Sequence, residues 1–184
     1  MSITLVVLGV CAAASLWAWG QGQQLQWTRW GLVPYRIRLH GEWYRFLTSI
    51  FFHADVTHLL VNSIVFYSFG SVMERYYGPL MYSLLLGAGT VGSGLLTYLR
   101  YHHNPHHVSI GLSGVVNAVL FAFILHNPKA TLLIFFFLPL PAWLFALLYL
   151  LYSLYEARRG QGIVNHWAHL GGAAAGLVFA YLQP

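Results

Sequence analysis

Charged residues are scarce in this 184-residue chain. Nine residues are basic and four are acidic, about 7% of the total, whereas 58% are apolar. A soluble domain carries roughly 25% charged residues, so this chain cannot cover a surface that faces water. The high apolar content also excludes a disordered protein, and the scattered basic residues do not form the cluster that indicates nucleic-acid binding. A multi-pass membrane protein is the class that remains.

Cysteine is nearly absent as well. Cys11 is the single cysteine, which excludes a secreted fold held by disulfides within the chain. The first 28 residues contain no basic residue, so we expect the first apolar segment to stay as a helix rather than to be removed as a signal peptide. No stretch has the composition of a soluble domain. We therefore predict a single transmembrane domain over residues 1–184, with no extramembrane domain.

The few charged residues divide the chain into apolar segments. A helix needs about 20 mostly apolar residues to cross a bilayer, and the apolar residues suffice for five or six crossings. The segment between the first two candidate spans, residues 21–45, alternates aromatic residues with arginines, which is typical of a loop at the membrane interface. The sequence therefore predicts an all-α polytopic membrane protein with six transmembrane helices, at residues 3–19, 56–72, 79–99, 113–127, 141–155 and 163–182.

The fourth span is short. Its apolar pattern begins only after Gly111, and the stretch from Ser113 to Asn127 covers about 22 Å, against a hydrocarbon core about 30 Å thick. Its first residue is therefore expected below one membrane surface. Irregular backbone at that depth is tolerated only where protein or a water-filled cavity surrounds it. The sequence thus predicts that Ser113 lies at a submerged, hydrated helix start.

Polar residues lie near the same end of alternate spans. His58 and Asn62 belong to the second span, Ser113 to the fourth and His169 to the sixth. Because alternate spans run in the same direction, we expect these side chains in one leaflet, where polar groups generally mark function. A histidine beside a serine hydroxyl can act as a general base for nucleophilic attack. All four acidic residues lie at span edges, so we predict a Ser–His dyad without an acidic third member.

Two further patterns support this site. Gly111 and Gly114 flank the candidate nucleophile, while Gly172 and Gly176 form a GxxxG pattern on the helix face of the candidate base. These glycines predict a close approach of the fourth and sixth spans.

An oxyanion hole is also predicted. Because His58 and Asn62 are four residues apart, they share a helix face and can donate hydrogen bonds to an oxyanion beside the backbone N–H of Ser113. Each feature alone has an ordinary explanation, since a serine among small residues usually serves helix packing and an intramembrane histidine often bonds another helix. Their coincidence on three parallel spans favours catalysis.

Five motifs together resemble the rhomboid intramembrane serine proteases. They occur in the order found in that family, and the resemblance covers nearly the whole chain. The compact six-span bacterial members are the most similar. The motifs are GEWYRFLT at 41–48, HADVTHLLVN at 53–62, ERYYG at 74–78, GLSG at 111–114 and AHLGGAAAG at 168–176.

The resemblance implies a rhomboid-like bundle that hydrolyses peptide bonds in or near transmembrane segments of membrane-protein substrates. Ser113 would be the nucleophile and His169 the base, and the backbone N–H of Leu112 would join the oxyanion hole. Trp43 and Arg45 would belong to a membrane-embedded first loop, and the fifth span to a lateral substrate gate. The expected partners are the lipid bilayer and transmembrane substrates, without nucleic acid or cofactor. The expected location is a bacterial cytoplasmic (inner) membrane.

The chain departs from the family pattern at two positions. Some members carry an aromatic residue four positions after the nucleophile, against which the catalytic histidine packs, whereas this chain has Asn117. In addition, His166 lies three residues before His169 and is an alternative base. The AHxxG motif favours His169.

Two other functions fit parts of the sequence. A catalytically inactive rhomboid-like protein would bind transmembrane clients without cutting them, although such relatives usually lack the serine or the histidine. A transporter or metal-handling protein would use the paired histidines before the fourth span, although no cysteine or carboxylate accompanies them. Those histidines are His102, His103, His106 and His107.

Overall fold

The chain folds mainly into α-helices. The computed structural model describes residues 2–134, 137–160 and 162–183, apart from the side chains of residues 23–25. A short 3₁₀ turn, Ser49–Phe51, follows the fourth helix, and two paired strands, β1 (Thr131–Ile134) and β2 (Leu138–Pro141), lie between the sixth and seventh helices. The helices are α1 (Ile3–Gly20), α2 (Gln23–Trp30), α3 (Pro34–His40), α4 (Arg45–Thr48), α5 (Val56–Tyr101), α6 (Ser113–His126), α7 (Ala142–Arg159) and α8 (His166–Leu182).

The predicted second and third spans form one long element, α5, which is broken at Gly78. This glycine has φ 71° and ψ 171°, a conformation that residues with a side chain rarely adopt. Pro79 follows and starts the second arm, where its missing N–H costs no helical hydrogen bond. The two arms, residues 56–77 and 79–101, are separate helical segments that begin where the second and third spans were predicted to begin, and the first arm runs five residues beyond its predicted end.

Two of the four acidic residues accept hydrogen bonds from N–H groups at helix starts. The Asp55 side chain accepts a hydrogen bond from the His58 N–H at 2.8 Å and caps α5. Glu74 accepts hydrogen bonds from the backbone N–H groups of Ile3 at 2.6 Å and Thr4 at 3.0 Å, at the start of α1. Carboxylates satisfy the unpaired N–H groups there and complement the positive end of the helix dipole.

Helix α6 lies at the centre of the bundle, between α5 and α8. Ten of its 14 residues are buried. The outer faces of the surrounding helices instead expose large apolar side chains, such as Leu80 at 68% and Val178 at 60%. Two helices in the described part of the chain, α1 and α5, are long and apolar enough to cross a membrane. The six-span count therefore remains a prediction.

Glycines allow α8 to touch both of its neighbours. A side chain at Gly172 would collide with the backbone carbonyl of Gly114 in α6, and one at Gly176 would collide with that of Ala118. Gly171 faces the carbonyl of Gly92 in α5 in the same way. The small residues of the sixth predicted span thus bring its backbone directly against the helix that begins at Ser113.

We expect Gly172→Ala to destabilise the bundle, because the added methyl group must push α8 away from α6. Overpacking of this kind costs about 1–3 kcal/mol. The matched control is Gly9→Ala on α1, where a methyl group would meet no atom within 4 Å. Unfolding of the purified chain in detergent, titrated with sodium dodecyl sulfate, measures both changes. Equal midpoints for the two variants would contradict the close packing of α6 and α8.

The β-hairpin was not predicted from the sequence. Strand Thr131–Ile134 pairs with strand Leu138–Pro141, in a register that sets Thr131 opposite Pro141 and Ile134 opposite Leu138. Pro139 and Pro141 cannot donate helical hydrogen bonds, so this apolar stretch does not extend α7 toward α6. Helix α7 begins just after Pro141, where we predicted the fifth span to start.

Candidate active site

Ser113 is the first residue of α6, and the chain before it is anchored to the loop between α1 and α5. The backbone groups of Ser109 and Leu32 exchange two hydrogen bonds, of 2.8 and 3.0 Å. Gly111 donates its N–H to the Ser49 carbonyl at 3.0 Å and has φ 115°, a conformation suited to glycine. These contacts fix the turn from which the serine side chain projects.

The structure brings Ser113 and His169 into direct contact. Nε2 of His169 lies 2.8 Å from Oγ of Ser113. This is the distance expected between a nucleophile and its general base. His166 is buried beside them, with its ring 5.5 Å from that of His169, but its Nδ1 makes no hydrogen bond within the described ranges. The serine contact thus goes to His169 and not to the alternative histidine.

Asn165 holds the start of α8, although our sequence reasoning did not single it out. Its Oδ1 accepts a hydrogen bond from the Ala168 N–H at 3.2 Å. Its Nδ2 donates to Thr97 Oγ1 and Ser109 Oγ, both at 3.0 Å. Asparagine directly before an apolar helical run is a recognised N-cap signal and could have identified this residue. Asn165 therefore joins α5, α8 and the loop before Ser113.

A tyrosine contacts the other nitrogen of the candidate base. The hydroxyl of Tyr149, on α7, lies 3.1 Å from Nδ1 of His169. The two rings are nearly parallel, at 22°, with centroids 6.5 Å apart. Sequence reasoning missed this residue because one tyrosine in an apolar helix has no distinctive spacing. The sequence did contain one indication of such a residue: Asn117 stands where an aromatic neighbour of the histidine was expected.

His58 and Asn62 face a small space beside Gly111. A methyl group at Gly111 would lie 2.8 Å from Nε2 of His58 and 3.9 Å from Nδ2 of Asn62. Nδ1 of His58 accepts a hydrogen bond from the Ala54 N–H at 3.4 Å, so in the neutral ring the proton resides on Nε2. Nδ2 of Asn62 is buried and has no partner among the described residues. Two side-chain donors thus point into the space beside Gly111, two residues before Ser113.

The backbone N–H of Leu112 has a partner that we did not foresee. It donates to Nε2 of His53 at 3.3 Å, and Nδ1 of His53 lies 3.1 Å from Oγ of Ser15 on α1. His53 is fully buried, and it is the first residue of the motif in which we had singled out only His58 and Asn62. The role of the Leu112 N–H in an oxyanion hole remains a prediction. To fulfil it, this N–H would have to give up its hydrogen bond to His53.

Arg45 organises the first loop. Its side chain is 1% exposed, and its Nη1 donates to the carbonyls of Gly31 at 2.7 Å and Thr28 at 3.1 Å. Its Nε lies 2.6 Å from Oε2 of Glu42, which Arg36 contacts at 2.7 Å. The hydrogen bond from Arg36 and the charge of both guanidinium groups lower the pKa of the Glu42 carboxyl to about 2. The loop therefore keeps its ion pairs over the whole neutral range of pH.

Trp43 lies at the outer face of the same loop. Its ring packs against Phe46 and Tyr98, with centroid distances of 5.9 and 5.8 Å, and it is 59% exposed. A half-exposed tryptophan is typical of a side chain at the membrane interface.

The four histidines before α6 do not converge. Among the described residues, no group of three or more histidine, cysteine or acidic side chains is arranged to hold a metal ion. His107 stacks on Tyr101 with a ring distance of 3.7 Å, and His102 stacks on Tyr98. Each of these two histidines thus has an aromatic neighbour.

The chain is similar to rhomboid proteins from several kinds of organism. RHOMBOID-like protein 12, mitochondrial, from Arabidopsis thaliana is 32% identical over 154 residues, which cover 75% of this chain and 46% of that protein. Rhomboid protease GlpG from Klebsiella pneumoniae is 29% identical over 185 residues, covering 98% of this chain and 62% of that protein. Putative rhomboid protease YdcA from Bacillus subtilis is 36% identical over 78 residues, covering 42% and 38%.

The chain spans less than two thirds of the length of each of these relatives. Residues 40–183 match the Rhomboid domain family, a segment that contains α5 to α8 and both members of the Ser113–His169 pair. Relatives named as proteases and the apolar helices together indicate an integral membrane protein of a serine protease family. The chain therefore belongs to the rhomboid family.

Proposed function

We propose that this chain is an active intramembrane serine endopeptidase that uses a Ser113–His169 dyad. The observation that carries the proposal is the 2.8 Å contact between Oγ of Ser113 and Nε2 of His169, on two helices whose backbones touch. An inactive client-binding relative would need neither group in this geometry. The substrates would be transmembrane proteins, cut in or near their membrane-spanning segments.

The reaction would begin with attack by Oγ of Ser113 on the carbonyl carbon of the scissile peptide bond. Nε2 of His169 takes the serine proton as the new C–O bond forms. The negative charge that develops on the carbonyl oxygen is stabilised by the Ser113 N–H, Nε2–H of His58 and Nδ2–H of Asn62. The positive end of the α6 dipole adds to this stabilisation, because the helix begins at the nucleophile.

The tetrahedral intermediate would then collapse and break the C–N bond. The leaving amine takes the proton from Nε2 of His169, and an ester between Ser113 and the new carboxyl side of the substrate remains. A water molecule, deprotonated by His169, attacks the ester and releases a carboxylic acid, and Ser113 regains its proton. No acidic group is hydrogen-bonded to His169 in the described residues, so the base would act without a carboxylate.

The proposed topology has six crossings, formed by α1, the two arms of α5, α6, α7 and α8. Helix α6 is too short to cross a full bilayer, so Ser113 would lie below one surface, as predicted from its length. The bacterial cytoplasmic membrane remains a prediction for its location, because the relatives include a mitochondrial plant protein as well as bacterial ones.

A fluorophosphonate probe tests the proposal directly. The purified chain in detergent should become labelled on Ser113, located by mass spectrometry of the modified peptide, and should cleave a single-span model substrate. Labelling should disappear in His169→Ala and persist in Ser68→Ala, whose hydroxyl bonds the Ile64 carbonyl on an exposed face of α5.

Three outcomes would count against the proposal. Label on another serine would overturn the assignment of the nucleophile. A wild-type chain that binds the substrate but neither cleaves it nor becomes labelled would favour the inactive client-binding alternative. Loss of cleavage on adding a chelator would instead point to a metal-dependent reaction.

A further inference from the structure

Each ring nitrogen of His169 contacts a hydroxyl group, and the two hydroxyls come from different helices. Nε2 faces Oγ of Ser113 on α6, and Nδ1 faces the hydroxyl of Tyr149 on α7. We propose that Tyr149 is a positioning residue, whose hydroxyl holds the His169 imidazole with its proton on Nδ1 and the free electron pair of Nε2 directed at Ser113. This inference rests on the proposed function, in which His169 is the general base.

The proton positions support this assignment. A neutral imidazole carries one N–H, and Nε2 must lack it in order to accept the serine proton. The proton is then on Nδ1, where it needs an acceptor, and the Tyr149 oxygen lies 3.1 Å away. After attack, the imidazolium donates from both nitrogens, so the same contact is kept while the charge forms. A neutral hydroxyl would thus hold the histidine tautomer, which is one of the roles of the carboxylate in a catalytic triad.

Two polar side chains lie near the Tyr149 hydroxyl. The Asn117 amide and the Ser153 hydroxyl lie beside the Tyr149 hydroxyl. Oδ1 of Asn117 and Oγ of Ser153 are buried, and both lack a hydrogen-bond partner within the described residues. If the phenolic O–H turns toward one of these unbonded oxygens, the Tyr149 oxygen is left free to accept from His169.

Packing fixes the Tyr149 ring. Phe145, one turn earlier on α7, stacks on it at a centroid distance of 5.6 Å, and Phe121 of α6 packs at 5.8 Å. A ring held on two sides presents its hydroxyl in one place. The contact with His169 is therefore directed by the surrounding side chains and does not depend on a mobile surface group.

Asn117 explains why the tyrosine comes from α7. It lies one helical turn after Ser113, and its Nδ2 donates to the Ser113 carbonyl at 2.8 Å. This short side chain stands where some rhomboids carry an aromatic residue against the histidine. Here Tyr149 supplies the ring from another helix, and it adds a hydroxyl contact to the packing.

Because Tyr149 lies on α7, the orientation of His169 depends on the position of that helix. Only three of the 18 residues of α7 are buried, Ala142, Ser153 and Ala157. An outward movement of α7 would remove Tyr149 from Nδ1, while Ser113 and His169 would stay together on α6 and α8. The base would then be free to rotate, so the active geometry requires α7 to be in place against the bundle.

Tyr149→Phe tests the inference, because it keeps the ring and removes the hydroxyl. With the purified full chain and a transmembrane substrate, we expect kcat to fall about tenfold and KM to change less than twofold. The matched control is Tyr155→Phe, on the same helix, whose side chain is 59% exposed. Both constants should stay within twofold in the control.

A second measurement does not depend on catalytic activity. In ¹⁵N-histidine-labelled wild-type chain, the His169 resonances, assigned by their loss in His169→Ala, should show the proton on Nδ1. In Tyr149→Phe the signal should shift toward a mixture of the two tautomers.

Two results would overturn the role of Tyr149: a kcat of Tyr149→Phe within twofold of wild type, or a wild-type His169 protonated on Nε2. A wild-type chain that shows no cleavage would instead refute the proposed function. The NMR result would still decide whether Tyr149 holds His169.

Discussion

Replacing Ser113 by alanine is expected to lower the rate of peptide cleavage by about 10⁶-fold, which is the loss found when the nucleophile of a serine protease is removed. In the proposed mechanism this hydroxyl forms the bond to the substrate, and no other serine lies within hydrogen-bond distance of His169 in the described residues. His169→Ala should cause a similar loss, because the serine then has no base. The double variant should be no worse than either single one, since the two groups act as a unit.

Single-turnover cleavage of a transmembrane substrate, with enzyme in excess, measures these losses without interference from product release. Ser68→Ala again serves as the control, and its rate should match wild type. If Ser113→Ala kept more than a hundredth of the wild-type rate, Ser113 would not be the nucleophile. Losses that multiply in the double variant would show that Ser113 and His169 act in separate steps.

The second large effect is expected at Asn62. Removing one oxyanion donor in a serine protease costs about 10²- to 10³-fold in kcat. Nδ2 of Asn62 is buried without a partner in the described part of the chain, so it can bind the oxyanion without first breaking a protein hydrogen bond. Asn62→Ala should therefore lower kcat within this range and leave KM nearly unchanged, because the interaction forms only when the charge develops.

A matched asparagine separates this effect from general damage. Asn127 follows the last residue of α6, where its exposed side chain donates to the Phe123 carbonyl at 3.2 Å, and Asn127→Ala should leave kcat unchanged. Fluorophosphonate labelling of Asn62→Ala should still occur at Ser113, since the dyad remains intact. A rise in KM with an unchanged kcat would place Asn62 in substrate binding and not in the oxyanion hole.

The parts of the site that depend on the spacing of residues within one helix could be predicted from the sequence. His58 and Asn62 share a face because they are one turn apart, and Ser113 was singled out because its helix is too short. The pairing of Ser113 with His169 followed from the parity of the spans, although no local spacing connects residues in α6 and α8. These inferences depend only on helix geometry and membrane thickness.

The parts that depend on contacts between distant segments could not be predicted in this way. Tyr149 reaches His169 from α7, and His53 reaches the Leu112 N–H and the Ser15 side chain of α1. A single tyrosine or histidine forms no repeating pattern in the sequence, so its contact partner is known only from the packing of the helices. The β-hairpin was missed for a similar reason, because a short apolar run with prolines does not reveal which strand it pairs with.

The central position of α6 has a consequence for how the protein is made. Helix α6 is enclosed by α5, which precedes it in the chain, and by α8, which follows it. During synthesis, Ser113 is therefore made before His169, the base that we propose for it. A nascent chain that has not yet reached α8 holds a serine without a base, and it also exposes the backbone carbonyls of Gly114 and Ala118 that Gly172 and Gly176 later cover. Under the proposed mechanism, proteolytic activity would thus begin only when the last helix docks, and neighbouring proteins at the site of insertion would not meet an unfinished enzyme.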